Sequence, residues 1–257
     1  MTTQTNTNAG SATPTGQGTF LGVSWLPFAV IGAALTASVT LYVMVRQGES
    51  DNQASANIAA EAMKDLESRG YRPLTGALSE LLADPSQRTI PTQGHPLLES
   101  QAPDFQLTNA FNDRSSLSDA LRRGPVVLVF YYGYFCNHCV SQLFALNKDR
   151  AFFDELGATI VAISDDSHKL TRERFDKYGP FQFPVLSDPG HRVALAYGTY
   201  KPAAKEGDIL HGTFVIARDG RLIWANRGDS PFTDNRTLLR TIAISEGRIE
   251  KQQVQVP

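Results

Sequence analysis

Two five-residue apolar runs, Val126–Phe130 (VVLVF) and Thr159–Ile163 (TIVAI), anchor the second half of the chain. Both are rich in β-branched residues and lack polar alternation, the pattern of strands covered on both faces. Between them Val140, Leu143, Phe144 and Phe153 recur at helical spacing and predict one amphipathic helix. A second helix is expected over His168–Tyr178 and a short strand over Pro184–Leu186. In Thr213–Asn226 (TFVIARDGRLIWAN) two apolar runs flank Asp219-Gly220, a strong hairpin signal. A last helix is expected over Asn235–Ile244. The order β-α-β-α-β-β-α predicts an α/β domain, a mixed sheet with helices on both faces, over residues 101–250 and about 150 residues long.

The first hundred residues differ. Residues 1–19 are rich in Thr, Asn, Gly and Ser, bury no apolar surface and are expected to be disordered. Phe20–Val45 is a long apolar stretch, and no charged side chain precedes Arg46. A bilayer core needs roughly 20 apolar residues in a helix, and Trp25 and Tyr42 suit the two interfaces. A cleaved signal would carry a basic n-region and a shorter apolar core. Phe20–Val45 is therefore expected to be a single transmembrane helix. Arg46 on its C-terminal flank leans toward a cytoplasmic side for the remainder of the chain. Residues 46–100 read as a helical stalk or linker. Ile58, Ala59, Ala62, Met63 and Leu66 have helical spacing up to Gly70, and Leu74–Ala83 suggests a second short helix before Pro85. Such a segment either spaces the domain from the membrane or docks on it.

The chain has 257 residues and a formal net charge of −2, so no basic excess points to nucleic acid. Its two cysteines, Cys136 and Cys139, flank Asn137 and His138 between the first strand and its helix. A helix N-terminus presents unpaired N–H groups and the positive end of the dipole, which favour thiolate. A cysteine pair on such a turn can cycle between dithiol and disulfide. The alternatives are weaker chemistry. A disulfide closing so small a loop adds little stability. Structural zinc wants four ligands, commonly two such pairs. A c-type haem site would need His where Val140 stands. His138, if it donates to the Cys136 thiolate, stabilises the reduced form and makes the couple more oxidising; otherwise it caps the helix and faces solvent. His95, His168 and His191 sit in polar contexts and read as surface residues. Asp165 and Asp166 follow a strand end, where a helix N-terminal charge role is expected.

APDFQL (Ala102–Leu107), GPVVLVFYYG, FPVLSDPGHRVALAYG (Phe183–Gly198) and HGTFVIARDGRLIWA resemble segments of the alkyl hydroperoxide reductase and thiol-specific antioxidant family, peroxiredoxin-like redoxins with a thioredoxin-like fold. The resemblance runs from about Gln101 to Ala243. It implies thiol redox chemistry. The family's P-x-x-x-T-x-x-C motif would place Tyr132 at the proline, Cys136 at the threonine and Cys139 at the peroxidatic cysteine, with His211 where a later arginine is expected. These departures remove donors that would stabilise charge on a peroxide. CNHC itself is similar to the thioredoxin motif, with Cys136 attacking and Cys139 resolving. Tethered redoxins of similar layout face outward, which implies an extracytoplasmic domain.

Three functions are compatible with these residues. A membrane-anchored thiol–disulfide oxidoreductase would use Cys136, Cys139 and His138 on a protein partner, with no cofactor. A thiol peroxidase would form a sulfenic acid on peroxide and then the disulfide. A metallochaperone-like protein would hold copper with Cys136, Cys139 and His211, ligands of suitable softness.

Overall fold

The structure, a computed structural model, describes residues 38–45, 59–84, 88–133, 137–202 and 208–250. The chain divides into two compact units between Glu49 and Ser50. In the first, residues 38–45 are helical, with Val39, Leu41, Tyr42 and Met44 exposed. The rest of the expected span Phe20–Val45 lies outside the described residues, as does the expected disordered tail. No helix among the described residues is long and apolar enough to cross a membrane.

The second unit is built on one seven-stranded mixed sheet. Helix α1 covers residues 59–68 and α2 Leu78–Ala83. Strands β1 (Gln106–Asn109) and β2 (Arg114–Ser116) form a hairpin, followed by α3 (Leu117–Leu121) and β3 (Val126–Phe130). Then come α4 (Asn137–Lys148), α5 (Arg150–Glu155), β4 (Thr159–Ser164), α6 (His168–Tyr178), β5 (Val185–Ser187) and α7 (Arg192–Ala196). A two-stranded ribbon of β6 (Tyr200–Lys201) and β7 (Asp208–Ile209) precedes β8 (His211–Ile216), β9 (Leu222–Gly228) and α8 (Asn235–Ser245). The sheet order is β2-β1-β5-β4-β3-β8-β9. Strands β3, β4 and β5 run parallel, while β8 lies antiparallel between β3 and β9.

The expected apolar strands are central, and their alternate residues feed two cores. Val127, Val129 and Val215 face Val140, Leu143 and Leu146 of α4, Phe153 of α5 and Leu238 of α8. Val126, Leu128, Phe130 and Phe214 face Leu117, Val193 and Tyr197 on the other side. Burial on both faces is why no polar alternation is seen in these strands.

The single helix expected over Val140–Phe153 is two helices. The break is at Asp149, whose backbone leaves the helical region (φ −94°, ψ 8°). Its side chain is fully buried and holds Leu74 N at 2.9 Å and Asn235 Nδ2 at 2.8 Å.

Of the two fates open to the stalk, the described part docks. Leu66 and Tyr71 pack on Ala145 of α4, and Leu78 and Leu82 join the core on the α4 side. Tyr71 Oη donates to Ala145 O at 3.2 Å, and Arg240 Nη1 donates to Leu82 O at 2.5 Å. Residues 90–100 then run along the outer edge of β9. Trp224 Nε1 donates to Ile90 O, Gln93 N to Ala225 O, Glu99 N to Leu222 O and Leu222 N to Ser100 O.

Candidate functional site

The site forms at the carboxyl ends of β3, β4 and β5, the end of a parallel sheet where ligands collect. Beyond Phe130 the chain stays on the sheet for one more residue, since Tyr131 N donates to Ile163 O at 3.1 Å. Gly133 then takes φ +110°, a left-handed value that disfavours a side chain. It also lies against Asp166: a Cβ there would sit 2.8 Å from Asp166 Oδ1. The chain thus turns off the sheet toward α4.

Helix α4 begins at Asn137, three residues before the expected start, and Cys139 is in its first turn. Cys139 is 1% exposed, and no cysteine among the described residues is a free thiol. Cys136 and the side chain of His138 lie outside the described residues.

His211 opens β8, whose next residue Gly212 pairs with Phe130 of β3. It is buried, and its ring meets the half-buried Tyr132 edge-on, with centroids 4.7 Å apart at 64°. Thr213 and Val215 follow at the two-residue period of a strand, and Val215 belongs to the core that α4 covers. His211 and Thr213 therefore share the α4 side of β8. Thr213 accepts a 2.8 Å hydrogen bond from Nε2 of Gln142, a fully buried residue on α4. Sequence reading passed over both Gln142 and Thr213. The only signal was a polar pair, Ser141-Gln142, set between the apolar residues Val140 and Leu143 of that helix.

Other expectations need correction. The cap of α6 is Ser167, whose hydroxyl accepts from Leu170 N, so the N-terminal role expected of Asp165 and Asp166 falls elsewhere. Asp166 is buried beside Gly133 and accepts from Ser164 Oγ at 3.1 Å. Asp165 Oδ2 instead meets His191 Nε2 at 3.8 Å.

The three histidines expected at the surface are all partly buried. His191 stacks on Tyr200 with ring centroids 4.2 Å apart and, with Phe130, Ile163, Asp165 and Asp188, lines a small cleft. His168 Nε2 bonds Thr108 Oγ1 at 3.0 Å. His95 bonds Tyr197 O and Leu97 N through its two ring nitrogens. Burial, then the Arg227 charge, lowers the His95 pKa and favours its neutral ring.

Strand β3 leads into a helix whose first turn holds Cys139, and the antiparallel β8 lies beside β3. Residues 98–225 match the AhpC/TSA family. Alkyl hydroperoxide reductase C of Pseudomonas aeruginosa (strain UCBPP-PA14) is 30% identical over 130 residues, covering 48% of this chain and 68% of that protein. The chain belongs to the AhpC/TSA family.

The chain is also similar to proteins whose names point to different chemistries. Thiol-disulfide oxidoreductase ResA of Bacillus thuringiensis subsp. konkukian (strain 97-27) is 26% identical over 129 residues, 50% of this chain and 69% of that protein. The selenocysteine-containing peroxiredoxin PrxU of Peptoclostridium acidaminophilum is 33% identical over 129 residues, 47% and 62% of the two chains. Among solved structures, peroxidoxin BcpB of Mycobacterium tuberculosis superposes with a TM-score of 0.53 at 24% identity. That match covers 61% of this chain and all of the other, and it shows the thioredoxin-like fold. The AhpC/TSA match includes both cysteines and His211 but not α1, α2 or α8. As a member of the family the chain is an enzyme of thiol redox chemistry, a thiol oxidoreductase or thiol peroxidase.

Proposed function

We propose that this redoxin is a membrane-anchored thiol–disulfide oxidoreductase that cycles Cys136 and Cys139 between dithiol and disulfide. The observation that carries the reading is the place of Cys139. It is buried in the first turn of α4, is not a free thiol, and has one other cysteine in the whole sequence, three residues before it. In the forward cycle the Cys136 thiolate attacks one sulfur of a partner disulfide. The partner's S–S bond breaks, a mixed disulfide forms, and the departing partner thiolate takes a proton. Cys139 then attacks Cys136 Sγ and releases the second partner thiol. Two electrons pass to the partner, and a Cys136–Cys139 disulfide remains for an upstream dithiol to reduce. His138 acts by stabilising the Cys136 thiolate through a donated hydrogen bond.

With peroxide the first step differs. One cysteine thiolate takes the distal oxygen, the O–O bond breaks, and the leaving oxyanion picks up a proton. The sulfenic acid then condenses with the second thiol, giving the disulfide and water. The AhpC/TSA membership supports this substrate, while Tyr132 and His211 in place of the expected proline and arginine favour disulfide exchange.

The deciding experiment mixes the reduced protein with hydrogen peroxide and, separately, with a disulfide-bonded protein, and follows the loss of both thiols by stopped flow. Disulfide exchange faster than peroxide consumption supports the reading. Peroxide consumption well above that of free cysteine, with slow exchange, assigns the peroxidase reaction. Failure of Cys136 and Cys139 to form a disulfide removes both.

Phe20–Val45 serves as the anchor, and the redoxin domain faces away from the cytoplasm. Recovery of the full chain in membrane pellets after carbonate washing tests the first point. Alkylation of the domain in intact cells by a membrane-impermeant maleimide tests the second.

One observation favours a second reading. His211 is buried on the α4 side of β8, in ring contact with Tyr132 of the loop that leads to the cysteines. Two thiolates and this imidazole form a soft set suited to copper. Cu(I) titration of the reduced protein and of His211→Ala separates the two: a stoichiometric site lost in the variant supports copper.

A further inference from the structure

Gln142 is fully buried, yet among the described residues only one end of its amide is bonded. Nε2 donates to Thr213 Oγ1 at 2.8 Å, which fixes the amide's orientation, while Oε1 has no hydrogen-bond partner among the described residues. A buried carbonyl oxygen left without a donor is destabilising. The residue one turn earlier on the same face of α4 is Cys139, itself 1% exposed. Helical side chains tilt toward the N-terminus, so a residue covers the turn that precedes it. Position 142 thus covers the turn that carries Cys139. As a disulfide, Cys139 has no proton to donate. As a thiol it has one, and an S–H is a weak donor suited to a buried carbonyl.

We infer that Gln142 is a positioning residue for the redox couple, its Oε1 accepting the S–H of Cys139 in the dithiol state and so stabilising that state. The inference rests on the cycling proposed for Cys136 and Cys139. Reduction breaks their S–S bond and takes two electrons and two protons from a partner dithiol, one proton arriving on Cys139 Sγ. That proton meets an acceptor already oriented by Thr213. The unmet oxygen of the oxidised form becomes satisfied on reduction, which makes the couple more oxidising than sulfur chemistry alone would.

The test is the equilibrium constant for disulfide formation in glutathione buffers, measured on the full chain. Gln142→Met keeps the volume and removes the acceptor, and it is expected to shift the constant toward the disulfide about five- to tenfold, the worth of one buried hydrogen bond. Thr213→Val removes the partner that orients the amide but keeps the acceptor; it is expected to lower thermal stability and to shift the constant clearly less than Gln142→Met does. Gln142→Glu keeps an acceptor oxygen and is expected to hold the constant or move it toward the dithiol, a readout that survives if Gln142→Met does not fold. An unmoved constant in Gln142→Met, an equal shift in Thr213→Val, or a shift toward the disulfide in Gln142→Glu overturns the inference. A wild type with no two-electron couple in these buffers overturns instead the dithiol cycle on which it rests.

Discussion

The side chains of Asp149 and Asn235, 86 positions apart, meet in the interior through a 2.8 Å hydrogen bond from the asparagine amide to the carboxylate. The same carboxylate takes Leu74 N at 2.9 Å, so one buried acid joins the α4–α5 break, α8 and the segment that precedes the family domain. Asp149→Ala strands Leu74 N and the Asn235 amide and is expected to cost about 2–4 kcal/mol in urea unfolding.

The same residue sets a pH dependence. Burial raises the pKa of Asp149, and its bonds to Asn235, Leu74 and Tyr71 and the Arg236 charge offset this only in part. A raised folded pKa means the native state binds the proton more tightly than the unfolded chain. The penalty for ionising Asp149 is absent below its ordinary value, grows as pH rises through the window up to the raised value, and is complete above it. Asp149→Asn is expected to fold, because Asn235 Oδ1, which has no partner among the described residues, accepts from the new amide once the Asn235 amide turns over. On acidification through that window wild type gains stability relative to Asp149→Asn, read as diverging urea midpoints. Parallel midpoints would assign the raised pKa no role in stability.

Gly133→Ala puts a side chain at φ +110° and against the Asp166 carboxylate. The expected loss is about 1–3 kcal/mol, with slower thiol exchange because this loop aims the chain at α4. Adding Asp166→Ala relieves the contact and leaves the backbone strain, so the double variant is expected to recover part of the loss. A double-mutant cycle measures that coupling.

Leu66 of α1 is fully buried against Ala145 of α4 although α1 lies outside the family match. Leu66→Ala is expected to destabilise the whole second unit by about 2–4 kcal/mol in a single transition. A change within experimental error would show residues 59–68 to be an appendage.

His138→Ala removes the proposed donor to Cys136. The expected outcome is a five- to tenfold shift of the glutathione equilibrium toward the disulfide, with the midpoint of the Cys136 alkylation rate moving to higher pH. An unchanged profile would return His138 to a solvent-facing cap.

The core strands were readable because burial on both faces leaves an uninterrupted β-branched run, as in Val126–Phe130 and Thr159–Ser164. The Asp219-Gly220 turn was readable from glycine's access to left-handed backbone, and Gly220 takes φ +88°. Strand β2 was not, since Arg114-Ser115-Ser116 has no apolar run and pairs only through its backbone and register with β1. The helix break at Asp149 escaped because an isolated acid in an amphipathic pattern reads as solvated. It is the tertiary partners Leu74 and Asn235 that hold it inside. The site was legible as a motif but not as an arrangement. The cysteine spacing is local, whereas the burial of His211, Gln142 and Asp166 depends on β8, α4 and β4 converging from distant parts of the chain.

Residues 90–100 occupy the backbone groups along the outside of β9. A bare edge is a template for an incoming strand, whether from a second molecule or from an aggregating neighbour. On this flank that template is already filled by the protein's own chain, and the opposite flank offers only the three residues of β2. Growth of the sheet past β9 would first require this strip to peel away, so proteins lacking residues 90–100 should self-associate at concentrations where the intact chain stays dispersed.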